Sequence, residues 1–209
     1  MPELFISAFI TLFVVIDPPG CAPIYAGLTQ DASARQARGM AVRAALIATI
    51  ILLVFAFFGE DLLGALGIQL DSFRIAGGMM LFWIAFEMVF EKRTKRRNER
   101  ADKVNADPEI EDVSVFPMAM PMMAGPGAIA AIMLLMNEAD GLTQTIEVFA
   151  ALGAVMLLTL VALIAAGPMM RAVGDNVQNV VTRLLGVLLA ALAAQYVLDG
   201  LKGAFGFVS

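Results

Sequence analysis

The sequence predicts an all-α integral membrane protein: six transmembrane helices arranged as two inverted three-helix repeats, with helices 1 and 4 broken at Pro-Gly motifs. Three observations carry this reading: an apolar composition, six stretches of bilayer length, and matching proline and glycine signals in the two halves. Of 209 residues, 60% are hydrophobic and 16% charged, with mean hydropathy +0.82. Soluble domains carry roughly 25% charge, so this balance fits lipid as the solvent. The apolar stretches are Leu4–Leu28, Ala41–Phe58, Ser72–Phe90, Val115–Met136, Glu147–Ala166 and Val180–Leu198. Each is near the ~20 residues a helix needs to cross a bilayer. Backbone groups in hydrocarbon must pair within the segment, which favours helices, and the short alternating strands of a barrel are not seen. The chain divides into a first three-span repeat (1–90), a charged cytoplasmic loop (91–114) and a second, inverted repeat (115–209). The opening Met1-Pro2-Glu3-Leu4 lacks the basic start of a signal peptide, so the first apolar segment is expected to be kept.

The connections set the orientation. Arg35, Arg38 and Arg43 follow span one, and Lys92, Arg93, Lys95, Arg96, Arg97, Arg100 and Lys103 follow span three. Arg171 lies between spans five and six, with Arg183 just beyond, while the opposite connections carry Glu60, Asp61 and Asp71, then Glu138, Asp140 and Glu147. Basic residues favour the cytoplasmic side, so both termini are expected outside. The Glu91–Ser114 loop reads as a topology anchor and solvated linker closing with the acidic stretch Asp107–Asp112. A surface for anionic lipid headgroups or a regulator is the other reading.

The halves resemble each other. Asp17-Pro18-Pro19-Gly20 in span one and Ala124-Gly125-Pro126-Gly127 in span four superpose their Pro-Gly pairs at a shift of 107. Arg74-Ile75-Ala76-Gly77 and Arg183-Leu184-Leu185-Gly186 match at a shift of 109. Three spans per repeat is odd, so the second copy inserts upside down. In secondary transporters with inverted repeats, paired interrupted helices mark the substrate site.

The chemistry of the breaks follows from the residues. Pro18 and Pro19 push the residues before them out of the helical region, and each lacks a donor N–H. Gly20 permits a bend without steric cost. Span one is expected to split into a piece ending near Ile16 and another starting near Gly20, with Pro23 in its first turn; Gly125-Pro126-Gly127 splits span four likewise. The freed amides are those of Gly20, Cys21 and Ala22 in one repeat and Gly127, Ala128 and Ile129 in the other. A helix N-terminus carries about half a positive charge and attracts carboxylates. The substrate site is therefore expected at Asp17, Pro18, Pro19, Gly20, Cys21, Gly125, Pro126, Gly127 and Ala128. A structural kink capped by neighbouring side chains is the alternative.

Two acids stand inside spans. A carboxylate there costs about 2.5–3.5 kcal/mol on insertion scales, so Asp17 is a functional candidate, either binding substrate, coupling an ion or capping the next half-helix. Glu87 either shares that depth as a second ion-coupling candidate or snorkels to the inner interface. Burial raises a carboxyl pKa and an opposite charge lowers it, which suits proton coupling or an ammonium ligand. Arg74 and Arg183 read as interface anchors, Gln195 as a path-lining or cross-helix residue, and Gly77, Gly78 and Gly186 as close helix packing. The 14 methionines read as packing rather than metal ligands.

Several classes are disfavoured. With no histidine and one cysteine, Cys21, no metal centre is expected and familiar hydrolase chemistry lacks its usual base, so an enzyme is not expected. No phosphate-binding GxxxxGK[ST] loop appears, so ATP coupling within the chain is not expected. No cofactor and no nucleic acid are expected; the expected partners are a small carboxylate-bearing substrate (a zwitterion on the family resemblance below), membrane lipids and further copies of the chain.

Phe13-Val14-Val15-Ile16-Asp17-Pro18-Pro19-Gly20, continuing to Pro23-Ile24, resembles the first signature of the MarC family of bacterial and archaeal inner-membrane proteins. Pro121-Met122-Met123-Ala124-Gly125-Pro126-Gly127-Ala128-Ile129 is similar to its second, and Phe73–Gly78 and Gln195–Gly200 to the segments that accompany them. The resemblance covers essentially the whole chain. It implies a transporter of small neutral amino acids such as glycine and alanine, within a LysE-like superfamily, in the cell (inner) membrane. It also implies a substrate site on Asp17 to Cys21 and Gly125 to Ala128. Cys21 stands where many members carry Asn. A passive channel, a lipid-handling protein and a non-transporting scaffold are the alternative readings.

Overall fold

The computed structural model describes residues 2–105 and 112–206, the side chains of 2, 100, 105 and 168–179 excepted. The helices are α1 (Pro2–Ile16), α2 (Pro18–Leu28), α3 (Ala34–Ala65), α4 (Leu70–Val89), α5 (Lys92–Asn105), α6 (Pro126–Glu138), α7 (Gly141–Ile164) and α8 (Ala166–Phe205). An irregular coil, Ser114–Met123, precedes α6, and the described residues contain no strand. Five stretches are long and apolar enough to cross a membrane: Glu3–Leu28, Ala34–Ala65, Leu70–Val89, Gly141–Ile164 and Val180–Phe205. The coil and α6, bent by 53° at their junction, make a sixth if they count as one span.

Asp17 joins α1 to α2 in a left-handed conformation (φ 59°, ψ 65°). Pro18 disfavours the right-handed helical region for its predecessor, and Asp is among the few residues that tolerate the left-handed one. Little hydrogen bonding is lost: the Asp17 amide still donates to the Phe13 carbonyl at 2.9 Å, and the Asp17 carbonyl accepts from Gly20 and Cys21 at 3.0 Å. α2 therefore begins at Pro18 rather than near Gly20. Its prolines occupy the first two helical positions, where no N–H is required. That earlier start places Pro23 in the helix interior, not the first turn.

The segment before α6 departs further from the expected helical span. Phe116 (φ −124°, ψ 128°) and Met120 (φ −130°, ψ 126°) are extended, each preceding a proline in a cis peptide. Pro117 and Pro121 remove donors and exclude the helical region just before them, so the turns close loosely, with the Met118 amide on the Val113 carbonyl at 3.2 Å.

Two loops expected from the sequence are helical. α3 starts at Ala34 behind a capping box, in which the Ser33 hydroxyl accepts from the Gln36 amide and Gln36 accepts from the Ser33 amide. α8 starts at Ala166, directly after α7, so the fifth-to-sixth connection carries helical backbone; the side chain of Arg171 lies outside the described residues. The loop 91–114 is corrected most. Its first part is α5, and only 106–111, holding most of the acidic stretch from Asp107, lie outside the described residues. Arg93, Arg97, Ala101 and Val104 recur at helical spacing and are all buried, so α5 is docked rather than solvated.

α4 and α8 pack antiparallel along a seam of small residues. A Cβ on Gly78 would stand 2.9 Å from the Ala193 carbonyl oxygen, and one on Gly186 3.1 Å from that of Ala85. Gly77 faces α6 instead, with Leu134 Cδ1 at 3.1 Å from its would-be Cβ. The expected packing role of these three glycines holds. α1 and α2 lie on α7, and the irregular coil and α6 lie on α3.

Candidate functional site

α5 packs on α2, α4 and the irregular coil, and its arginines reach Asp17, the residue between α1 and α2. Arg97 Nη1 donates to Asp17 Oδ2 at 2.9 Å and Nη2 to the Met122 carbonyl at 3.4 Å, so one guanidinium ties the break in span one to the coil before α6. Both side chains of that ion pair are buried. Arg93 Nη2 donates to the Val15 carbonyl at 2.5 Å and Nη1 to Met88 Sδ at 3.1 Å. Arg96, half exposed, pairs with Glu87 Oε1 at 2.8 Å, while Glu87 Oε2 is buried with no hydrogen-bond partner. Glu87 is 5% exposed, and its carboxylate meets α5 as that of Asp17 does. Burial, with the neighbouring Arg97 charge adding to it, lowers Arg93 to about 10, and the guanidinium keeps its charge at neutral pH.

The two half-helix N-termini differ. Asp17 caps α2, its Oδ1 accepting from the Gly20 amide at 3.1 Å, and the carboxylate fills the space a Cβ on Gly20 would need. Gly125 has no side chain and leaves α6 uncapped. Of the six amides expected to be bare, those of Gly20 and Cys21 bond Asp17, and that of Ile129 bonds the Gly125 carbonyl at 3.0 Å. Cys21 Sγ donates to the Ile16 carbonyl at 3.4 Å.

A cavity of about 260 Å³ opens beside α6, walled by Gly125, Pro126, Gly127 and Ala128, by Val15 and Ile84, and by Arg93, Arg96 and Arg97. The four expected residues of the second break therefore share one wall. Asp17 to Cys21 lie behind it, buried except for Pro19, and touch it through Arg97. The three arginines are the site residues that the sequence argument placed in a linker. Their signal is the 93, 97, 101, 104 spacing, in which two charges hold the positions of a buried stripe.

The remaining residues lie elsewhere. Arg74 bonds Asp71 at 3.2 Å and Asn137 at 2.8 Å, and Arg183 bonds Glu91 at 2.6 Å. Gln195 is exposed and bonds Asp199 of its own helix at 2.9 Å, so it neither bridges helices nor meets the cavity. At the opposite end, Glu3, Glu138, Asp140 and Glu147 surround a second cavity of about 650 Å³.

Helices of bilayer length joined by short turns define a multi-pass integral membrane protein. Residues 2–205 match the MarC family integral membrane proteins, and the chain belongs to that family. Among its relatives, a UPF0056 membrane protein of Methanocaldococcus jannaschii is 33% identical, with 97% of this chain and 98% of the relative aligned. The UPF0056 membrane protein YvbG of Bacillus subtilis is 32% identical over 98% and 97%, and YhcE of Escherichia coli 32% over 97% and 94%. No solved structure matches the chain.

Proposed function

We propose that this chain is a secondary transporter of small neutral amino acids, of the glycine and alanine class, coupled to protons. It works by alternating access in the cell membrane, with both termini outside. The observation that carries the reading is the junction under α5, where the α1–α2 joint, the coil before α6, two buried carboxylates and a small cavity meet. The substrate carboxylate is held at the bare half-helix N-terminus of α6, and its ammonium is taken by Asp17 once Arg97 gives way. Asp17 and Glu87 are the candidates for the coupling proton.

The inverted-repeat plan is supported by how the spans pair. α1 and α2 lie on α7 while the irregular coil and α6 lie on α3, and α4 lies on α8. Exchanging the halves turns the first contact into the second and the third into itself, as a pseudo-two-fold axis in the membrane plane requires. The basic ends also gather on one face: Arg43 pairs with Asp112 at 2.9 Å and Arg183 with Glu91 at 2.6 Å.

Counterflow in liposomes tests the reading. Purified protein is expected to exchange labelled alanine or glycine saturably, and Asp17→Asn to lose most of that exchange. Liposomes that move neither amino acid under any imposed pH or sodium gradient would end it.

A further inference from the structure

Arg93, Arg96 and Arg97 line the cavity; Arg97 pairs with Asp17 and the half-exposed Arg96 with Glu87, which leaves Arg93 without a direct ion pair among the described residues. Arg93 is 6% exposed and bonds only neutral acceptors, the Val15 carbonyl and the Met88 sulfur. No carboxylate among the described residues pairs with it. A guanidinium does not shed its proton near neutral pH, so it cannot escape the cost of burial by neutralising. A buried cation with no carboxylate in contact with it is incompletely compensated, and a mobile anion in the adjoining space relieves that.

The wall beside it is built to share that anion. α6 has no side-chain cap, and Pro126 at its first position has no N–H, so the first amides it offers are those of Gly127 and Ala128, both on the cavity. The contrast with α2, whose cap is the Asp17 carboxylate, shows what chemistry such an end accepts. The space, about 260 Å³, lies below the ~300–1,000 Å³ of pockets for drug-sized ligands, so it suits a ligand of few heavy atoms. A Cβ on Gly127 would stand 2.2 Å from Ile84 Cδ1, which keeps that wall backbone only.

From this we infer that Arg93 and the amides of Gly127 and Ala128 form a receptor for one carboxylate group, and that the site selects ligands by it. The inference rests on the transport reading for the identity of the ligand, and on the Arg93 guanidinium without a direct ion pair and the uncapped start of α6 for its chemistry. Amino acids are accepted with a free carboxylate and refused when it is amidated. Arg97 acts separately, as the latch on Asp17.

The test uses the full chain, purified and reconstituted, with alanine, alaninamide and acetate as probes. Alanine is expected to drive counterflow and to raise the unfolding temperature, with alaninamide at least tenfold weaker in both. Arg93→Gln is expected to raise the KM for alanine about tenfold to hundredfold with less effect on the maximal rate, and Arg93→Lys to recover part of the loss. Alaninamide competing as well as alanine on the unmodified protein overturns the proposal, and that arm needs no variant to fold. So does an Arg93→Gln protein that unfolds cooperatively and keeps its KM within twofold. Should neither alanine nor glycine bind or move, acetate binding that disappears in Arg93→Gln still supports the receptor, while the amino-acid reading fails. Acetate binding unchanged by that substitution overturns the receptor as well.

Discussion

Asp17 performs three tasks from one backbone position. It turns the chain in the left-handed region, caps α2 through Oδ1, and holds Arg97 through Oδ2. Asn tolerates the same backbone and caps as well, so Asp17→Asn isolates the charge. Removing one member of a buried ion pair costs about 3–5 kcal/mol, because the survivor is left uncompensated. Asp17→Asn and Arg97→Gln are each expected to lower unfolding stability by about 2–4 kcal/mol, and the double variant by clearly less than their sum. Additivity within about 0.5 kcal/mol in that cycle would show that the two groups do not interact. Glu87 differs, since one of its oxygens is buried with no hydrogen-bond partner among the described residues. Glu87→Gln is expected to retain alanine counterflow at symmetric pH but to lose accumulation driven by a pH gradient. Unchanged gradient-driven uptake would remove Glu87 from the coupling.

At the scale of elements, the span limits were legible wherever apolar runs met polar flanks, as at Leu28, where α2 ends. They were not legible where helix outlasts the membrane, because α3 and α8 continue on polar residues that hydropathy reads as loop. α5 shows why half of the candidate site was hidden. A run of seven bases within 92–103 looks like a solvated anchor, and only the register of Arg93 and Arg97 with Ala101 and Val104 betrays a buried stripe. The prolines at 18, 19 and 126 were readable because their backbone limits are local; the guanidinium partners were not, because they come from 80 residues away in sequence. Val104→Glu is expected to undock α5 and to speed proteolysis within 91–114, with cleavage followed on gels; an unchanged rate would mean that the stripe does not hold the helix. The α4–α8 seam gives a packing test. Gly78→Ala is expected to cost about 1–3 kcal/mol, since its Cβ meets backbone of α8, whereas Gly153→Ala on α7 meets nothing within 4 Å and is expected to gain about 0.5–1 kcal/mol. Equal unfolding temperatures for the two variants would mean that the seam is looser than drawn.

For the whole molecule, charge is sorted end to end. The acids at Glu3, Glu138, Asp140 and Glu147 share one face, and the α5 arginines with Arg43 and Arg183 belong to the other. With bases inside, an epitope at either terminus is expected to be reached by a membrane-impermeant reagent on intact spheroplasts. Protection of both termini until lysis would invert the topology. On the proposed transport reading, α5 has to withdraw from Asp17, because Arg97 occupies the Asp17 oxygen that a substrate ammonium would need. Cys21, the single cysteine, sits one turn beyond Asp17, fully buried, with its sulfur turned onto the Ile16 carbonyl. The chain thus carries one thiol, and carries it at the joint that the proposed mechanism opens. An alkylating fluorophore added to the unaltered protein would report each unlatching as a labelling event, so the rate of modification with and without alanine becomes a clock for the gate.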